Sequence, residues 1–286
     1  MKKTLFVMLT ALLSFACTEK KEVAVQLYSV RNVIGTNEKY AENHETVLKG
    51  LAEMGYTAVE AANYNNGKFY GRTPEQFRND VESAGLKVLS SHCNRSLSAE
   101  ECASGDFSAS LEWWDECIAA HKAAGMSYVV VPWMNVPATL AELKTYCNYF
   151  NAIGRKCNAA GLSFGYHNHS HEYAKVEGEV MLDYMLNNTD PEYVFFQMDV
   201  YWSVIGKASP VEYFKKYPGR FTMLHIKDHK EIGQSGMVGF DAIFANAYDI
   251  AGAKDFVVEV EAFTNGDWKE SMKQSVDYLL SAEFYK

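Results

Sequence analysis

Gly161-Leu162-Ser163-Phe164-Gly165-Tyr166-His167-Asn168-His169-Ser170-His171-Glu172-Tyr173 places three of the chain's eight histidines within five positions, directly after a short apolar run. The run opens at a helix-stopping glycine and is bounded by turn signals. It therefore reads as a buried strand whose far end carries the histidines out of the core. Imidazoles followed by a carboxylate at a strand end point to a metal site or an acid/base site. A single stretch of this kind also arises as an ordinary polar loop, so its reading depends on whether other strands repeat it.

Working outward from this stretch, they do. From Val23 onward, short apolar runs alternate with longer amphipathic segments, the pattern of parallel strands covered by helices. Strands are expected at Val23–Val30, Thr57–Ala62, Leu86–His92, Ser127–Trp133, Leu162–Asn168, Val194–Val200, Phe221–Lys227 and Asp255–Glu261. Helix starts are marked by Thr73-Pro74-Glu75-Gln76, Thr139-Leu140-Ala141-Glu142, Ser209-Pro210-Val211-Glu212 and Asp267-Trp268-Lys269-Glu270, each with a capping side chain three residues before Glu or Gln. Gly55, Gly85, Gly125, Gly161 and Gly252 each fall shortly before a strand, as helix-ending glycines do. Eight such units can form a doubly wound sheet or a closed barrel. No G-x-G-x-x-G follows the first strand, and polar residues sit at most strand ends, so the expected fold is α/β, a single (β/α)8 barrel. Gly233-Gln234-Ser235-Gly236 lacks the lysine and serine of a P-loop and reads as a plain loop after strand seven.

The 286 residues are 48% apolar and 22% charged, enough for one large core. Met1-Lys2-Lys3, the apolar run Leu5 to Phe15 and Ala16-Cys17 have the form of a signal peptide over residues 1–16. Ser14-Phe15-Ala16-Cys17 resembles a relaxed bacterial lipobox, which makes Cys17 the lipid-bearing residue and residues 17–22 a short tether. The expectation is an exported periplasmic or outer-membrane lipoprotein whose barrel occupies residues 23–286. Removal of Lys2 and Lys3 with the leader lowers the formal net charge from −9 to −11, which opposes a nucleic-acid partner. The five later cysteines are odd in number and form no C-x-x-C pair, so they indicate neither a disulfide framework nor a structural zinc motif; a Cys93–Cys102 bridge stays open.

At the strand ends stand Gln26 and Tyr28 with Arg31, then Glu60, His92, Trp133 with Asn135, the histidine cluster, Asp199 with Trp202, His225 with Lys227, and Glu259 with Glu261. The last two pairs each fall on one side of their strand, and their apolar neighbours would face the helices, so the charged side is the barrel interior. Unpaired carboxylates there are costly unless a cation compensates. Asp, His and Glu without thiolate form an oxygen/nitrogen set suited to one divalent ion, Mn, Co, Mg or Zn. The alternative is neutralisation by Lys227 and Arg31 without metal. Trp133, Trp202 and Tyr28 can stack on a bound ligand or pack in the core, and Trp113-Trp114 reads as helix packing on the barrel.

Val25-Gln26-Leu27-Tyr28-Ser29-Val30-Arg31, Tyr166-His167-Asn168-His169, Phe196-Gln197-Met198-Asp199-Val200-Tyr201-Trp202, His225-Ile226-Lys227-Asp228 and Val258-Glu259-Val260-Glu261 together resemble the xylose-isomerase-like barrels of the sugar phosphate isomerase/epimerase superfamily, over residues 23–284. That resemblance implies a metal held by Glu, Asp, His and Glu on strands five to eight. Asp199 and His225 match directly, and Glu259 matches on strand eight, with Glu261 as the other choice. On strand five the chain departs from the pattern. Either His167 is itself a ligand or Glu172 reaches back from the loop. The resemblance further implies enolisation beside a sugar carbonyl, with Glu259, Glu172, His167 and Lys227 as catalytic candidates. Glu60, His92, His169, Trp202, Glu261 and Tyr28 are the substrate-binding candidates. The expected activity is a sugar isomerase or epimerase acting on a free or keto sugar. The alternatives are a lyase or hydratase of 3-keto-sugars on the same site and a noncatalytic sugar-binding lipoprotein. A nuclease of the endonuclease IV kind is opposed by the acidic charge and the export signal, and a homodimer is an arrangement such barrels often adopt.

Overall fold

A computed structural model describes residues 21–286; the expected signal peptide and Cys17 lie outside the described residues. Eight parallel strands close into a barrel: β1 (Ala24–Gln26), β2 (Ala58–Ala61), β3 (Lys87–His92), β4 (Tyr128–Val131), β5 (Ser163–His167), β6 (Val194–Asp199), β7 (Met223–Lys227) and β8 (Asp255–Glu259). Pairing of β8 with β1, Ala24 opposite Val257 and Val25 opposite Val258, completes the ring and leaves the barrel no open edge. The main outer helices are α1 (Asn37–Met54), α2 (Pro74–Ser83), α3 (Ser108–Ala123), α4 (Leu140–Ala160), α5 (Met181–Asn188), α6 (Pro210–Lys216), α7 (Phe240–Asn246) and α8 (Trp268–Ser281). The expected (β/α)8 architecture is thus present.

Local chemistry starts and stops the helices where the sequence marks them. Thr73, Thr139, Ser209 and Asp267 each accept a hydrogen bond from a backbone N–H of the helix they open, and Thr73 with Gln76 forms a full capping box. Gly161 ends α4 at φ 82°, a left-handed turn that costs glycine nothing and turns the chain into β5. Trp114, on the inner face of α3, is wholly buried, its indole N–H donating to the Tyr149 hydroxyl at 2.7 Å.

Alternation along the strands divides the core in two. Outward residues such as Val59, Phe196, Leu224 and Val258 pack under the helices. Inward residues Ala24, Ala58, Tyr128, Phe195, Met223 and Val257 form a small apolar cluster. Gly165 belongs to this inner set, because a side chain there would collide with the Phe195 ring at 2.5 Å. One inward step further, at Gln26, Glu60, Gln197, His225 and Glu259, the residues become polar.

Three expectations are corrected here. β1 stops at Gln26, whose side chain accepts from the Tyr28 N–H at 3.1 Å and turns Leu27–Val30 into a 3-10 helix, so Tyr28 is not a strand residue. β8 stops at Glu259, which puts Glu261 on the following loop. Cys93 lies beside Cys117, with sulfurs 3.5 Å apart, instead of beside Cys102, and all five described cysteines are free.

Candidate metal centre

The floor of the site is one carboxylate surrounded by donors. Glu60 is fully buried; its Oε1 accepts from the Gln26 amide at 2.8 Å and meets His225 Nε2 at 2.6 Å and His92 Nε2 at 3.1 Å. Its Oε2 accepts from Ser90 Oγ at 2.7 Å and from Gln197 Nε2 at 2.8 Å. Burial disfavours charge on Glu60, yet the His92 and His225 imidazoles hold its pKa well below the usual carboxylate range. The sequence reading offered Glu60 as a sugar contact. The structure seats it underneath, where it orients other groups.

The orientation passes to two histidines. Because Gln197 donates its amide N–H2 to Glu60, its carbonyl oxygen faces His167 Nδ1 at 3.0 Å and His92 Nε2 at 2.8 Å. Nδ1 of His167 therefore carries the proton, and Nε2 is free to bind a ligand. His225 presents its other nitrogen, Nδ1, to Glu259 Oε2 at 3.4 Å. Gln197 and Ser90 are site residues the sequence reading missed. The signal was there: each is a polar side chain two residues before a polar strand end, Ser90 before His92 and Gln197 before Asp199, and so shares its inward face.

Above this floor, His167, Asp199, His225 and Glu259 are all buried and bring one donor atom each within 4.8 Å of one another. Register explains the grouping, since Asp199 pairs with His225 and Gln197 with His167 on adjoining strands. Asp199 ends β6 and also caps the short helix that follows: Oδ1 accepts from the Trp202 N–H at 2.7 Å. Its Oδ2 is buried without a partner, and burial raises its pKa to about 7 despite Lys227 and His225 nearby. Burial also opposes charge on Glu259, but the His225 hydrogen bond and charge, with Lys227, hold it at about 2. His225 is raised to about 10, because Glu60 and Glu259 outweigh its burial. His167 is pushed well below the usual imidazole range by burial and by its histidine neighbours. A buried, unpartnered carboxylate oxygen among two imidazoles and a second carboxylate is the donor set a divalent cation satisfies, so these residues fit such an ion.

Glu172 stands apart from this group. Its Oε1 accepts from the Tyr166 hydroxyl at 2.6 Å and meets His171 Nε2 at 3.0 Å, while Oε2 accepts from the His169 N–H at 2.8 Å. It ties down the β5 loop, and the strand-five donor at the four-residue group is His167. Glu261 is likewise outside, 3.5 Å from Lys227 Nζ. Among the described residues Arg31 meets no carboxylate; it donates to the Tyr28 and Glu261 carbonyls and lies 4.2 Å from the Tyr28 ring. The mouth above is aromatic. Trp133 is 46% exposed and Tyr28 44% exposed, the Trp133 ring lies 4.0 Å from that of His171 and tilted to it by 47°, and Trp202 lies near Lys227.

The profile of the xylose isomerase-like TIM barrel family matches residues 48–282. The chain belongs to that family. A solved structure described as a sugar phosphate isomerase/epimerase from Parabacteroides distasonis is 36% identical, with TM-score 0.83, covering 93% of this chain and 100% of that one. An L-ribulose 3-epimerase shares the fold at 14% identity and TM-score 0.68, over 90% of this chain and 93% of that one. Among curated proteins, an inosose dehydratase from Geobacillus kaustophilus is 22% identical over 69% of this chain, and the match spans 65% of that relative's length. The family's sugar isomerases, epimerases and dehydratases support an enzyme.

Proposed function

We propose that the protein is a divalent-metal-dependent enzyme that enolises a keto sugar, acting as an isomerase or epimerase. One observation carries the reading: the donors of His167, Asp199, His225 and Glu259 lie within 4.8 Å of one another, buried, with Asp199 Oδ2 unpartnered. These four would hold the ion, which when bound supplies Lewis-acid polarisation of the substrate carbonyl. The chain's own groups then move protons. Glu259, kept ionised, accepts the proton next to the carbonyl on one face. Lys227, at 1% exposure beside Glu261, presents an ammonium to the oxygen on which charge develops. His169, held neutral by burial with a pKa of about 4 and with Nδ1 unpartnered, is the second proton-handling group, on the loop side.

The sugar is free or oxidised, not phosphorylated. Lys227 is paired with Glu261 and Arg31 with backbone carbonyls, so these two cations form no basic pair for a phosphate. This suits an exported protein anchored through Cys17, which remains part of the proposal.

A second reading is favoured by His167. Its Nδ1 is committed to Gln197, and an imidazole ligand supplies no carboxylate base on the second face, so loss of a β-substituent, as in a lyase or dehydratase, needs less of the site than epimerisation does. The test is incubation of the metal-loaded protein with keto sugars and 3-keto-glycosides in D2O, followed by NMR. Exchange of the proton next to the carbonyl, lost on chelation, is expected; a new stereocentre then marks an epimerase and an unsaturated product a lyase. Metal-loaded protein that binds sugar without any exchange would overturn both and leave a binding protein.

A further inference from the structure

Behind the barrel wall, one residue past His92, two cysteines meet. Cys93 directly follows β3 and is anchored there by its N–H, which donates to the Val130 carbonyl at 3.0 Å. Cys117 lies in the middle of α3, wholly buried. Their sulfurs are in van der Waals contact at 3.5 Å, joining positions 24 residues apart. We propose that Cys93 and Cys117 are a redox pair that closes to a disulfide, fastening α3 to the end of the strand that carries His92.

The geometry is near that of the bond. A disulfide needs sulfurs at about 2.05 Å, so closure is an approach of roughly 1.5 Å, within reach of side-chain rotation and a small helix shift. The neighbouring His121 faces Cys117 Sγ through Nδ1 and keeps its buried Nε2 without a partner. The ring nitrogen facing Cys117 Sγ at 3.5 Å is Nδ1, and it is committed to the Cys117 carbonyl at 2.7 Å, where it must carry the proton and donate. Two sulfurs alone do not complete a coordination shell.

Exchange starts at Cys93, because that residue keeps 6% of its surface exposed while Cys117 keeps none. With a low-molecular-weight disulfide as oxidant, the Cys93 thiolate attacks one sulfur, the reagent's S–S bond breaks, and one thiolate leaves. Cys117 then gives up its proton and attacks Cys93 Sγ, expelling the second thiolate. Two electrons and two protons pass to the reagent, which ends as two thiols.

The experiment uses the full chain, reduced, freed of reductant and incubated with oxidised glutathione. It is then acid-quenched, alkylated in denaturant and mapped by mass spectrometry without reduction. The expected map shows one cross-linked peptide pair, Cys93 to Cys117, lighter by two hydrogens, with Cys102, Cys147 and Cys157 alkylated. The oxidised chain should also melt at a higher temperature than the reduced one. Cys93→Ser abolishes the cross-link, whereas Cys102→Ser, at a half-buried position off the pair, keeps it. Recovery of Cys93 and Cys117 as alkylated thiols, a glutathione adduct on Cys93 that never closes, or a metal retained by the two thiols in the intact chain would overturn the proposal.

Discussion

Two groups of histidines and carboxylates stand side by side at the mouth of the barrel, and their hydrogen bonding is opposite. In the loop group, every Glu172 oxygen is engaged, by the Tyr166 hydroxyl, the His169 N–H and His171. In the strand group, Asp199 keeps one buried oxygen without any partner, while His225 and His167 are each aimed by a partner behind them. Both groups read alike in sequence. What separates the two carboxylates is completion: Glu172, with both oxygens engaged, fixes a loop, and Asp199, with one buried oxygen open, awaits a ligand.

The largest expected effect breaks this comparison directly. Asp199→Asn keeps the helix cap's acceptor but removes the charge. Metal content should fall from near one equivalent to near none, with activity lost by more than the roughly 10- to 100-fold that removing an outer-shell partner costs. Glu172→Gln should leave the metal content near one equivalent, as read by elemental analysis. If Glu172→Gln loses metal and Asp199→Asn does not, the two groups have been assigned the wrong way round.

Glu60 provides the next test, because it aims both histidine ligands without belonging to the four. Glu60→Gln should weaken metal binding by roughly 10- to 100-fold while the protein still folds, measured by competition with a chelating dye. Unchanged affinity would show that His225 and His167 hold their orientation without it. A smaller effect is expected in the loop group. Tyr166→Phe removes one buried donor to Glu172 and should cost about 1–3 kcal/mol in thermal unfolding, with metal affinity unchanged.

Much of this was legible before any coordinates. The barrel followed from apolar runs, capping residues such as Thr73 and Ser209, and glycines such as Gly161, all of which act locally and are written locally. Asp199, His225 and Glu259 were legible because a charged residue at an inward strand position has no solvated face to occupy. The choice between His167 and Glu172 was not, since it depends on Tyr166 and His171 capturing the glutamate, a contact between a strand side chain and the turn that follows. Glu60 was misread as a sugar contact for a related reason. Its partners Gln197 and His225 lie on strands far away in sequence, and only closure of the ring brings them over it. Cys93 and Cys117 meet through helix-to-strand packing that cysteine spacing does not encode.

The finest test separates the two groups by pH. Burial lowers the pKa of His171, but its contact with the Glu172 carboxylate and its bond to the Met134 carbonyl outweigh that and leave it raised above 6.5. A group whose folded pKa is raised binds its proton more tightly in the native state, so its stabilisation is complete below the unfolded value, about 6.5 for histidine, and fades as pH rises through the folded value. His171→Gln should therefore cost most stability near pH 6, and the gap from the parent should narrow as pH is raised above 6.5. The measurement is a pair of urea titrations at each pH on chelator-treated protein, so that differences between variant and parent cancel the titration of His225 and other common groups. A gap that widens with rising pH would mean that His171 is held neutral. Glu172 would then be bound by Tyr166 and the His169 N–H alone, and the loop group would be less completely closed than its geometry indicates.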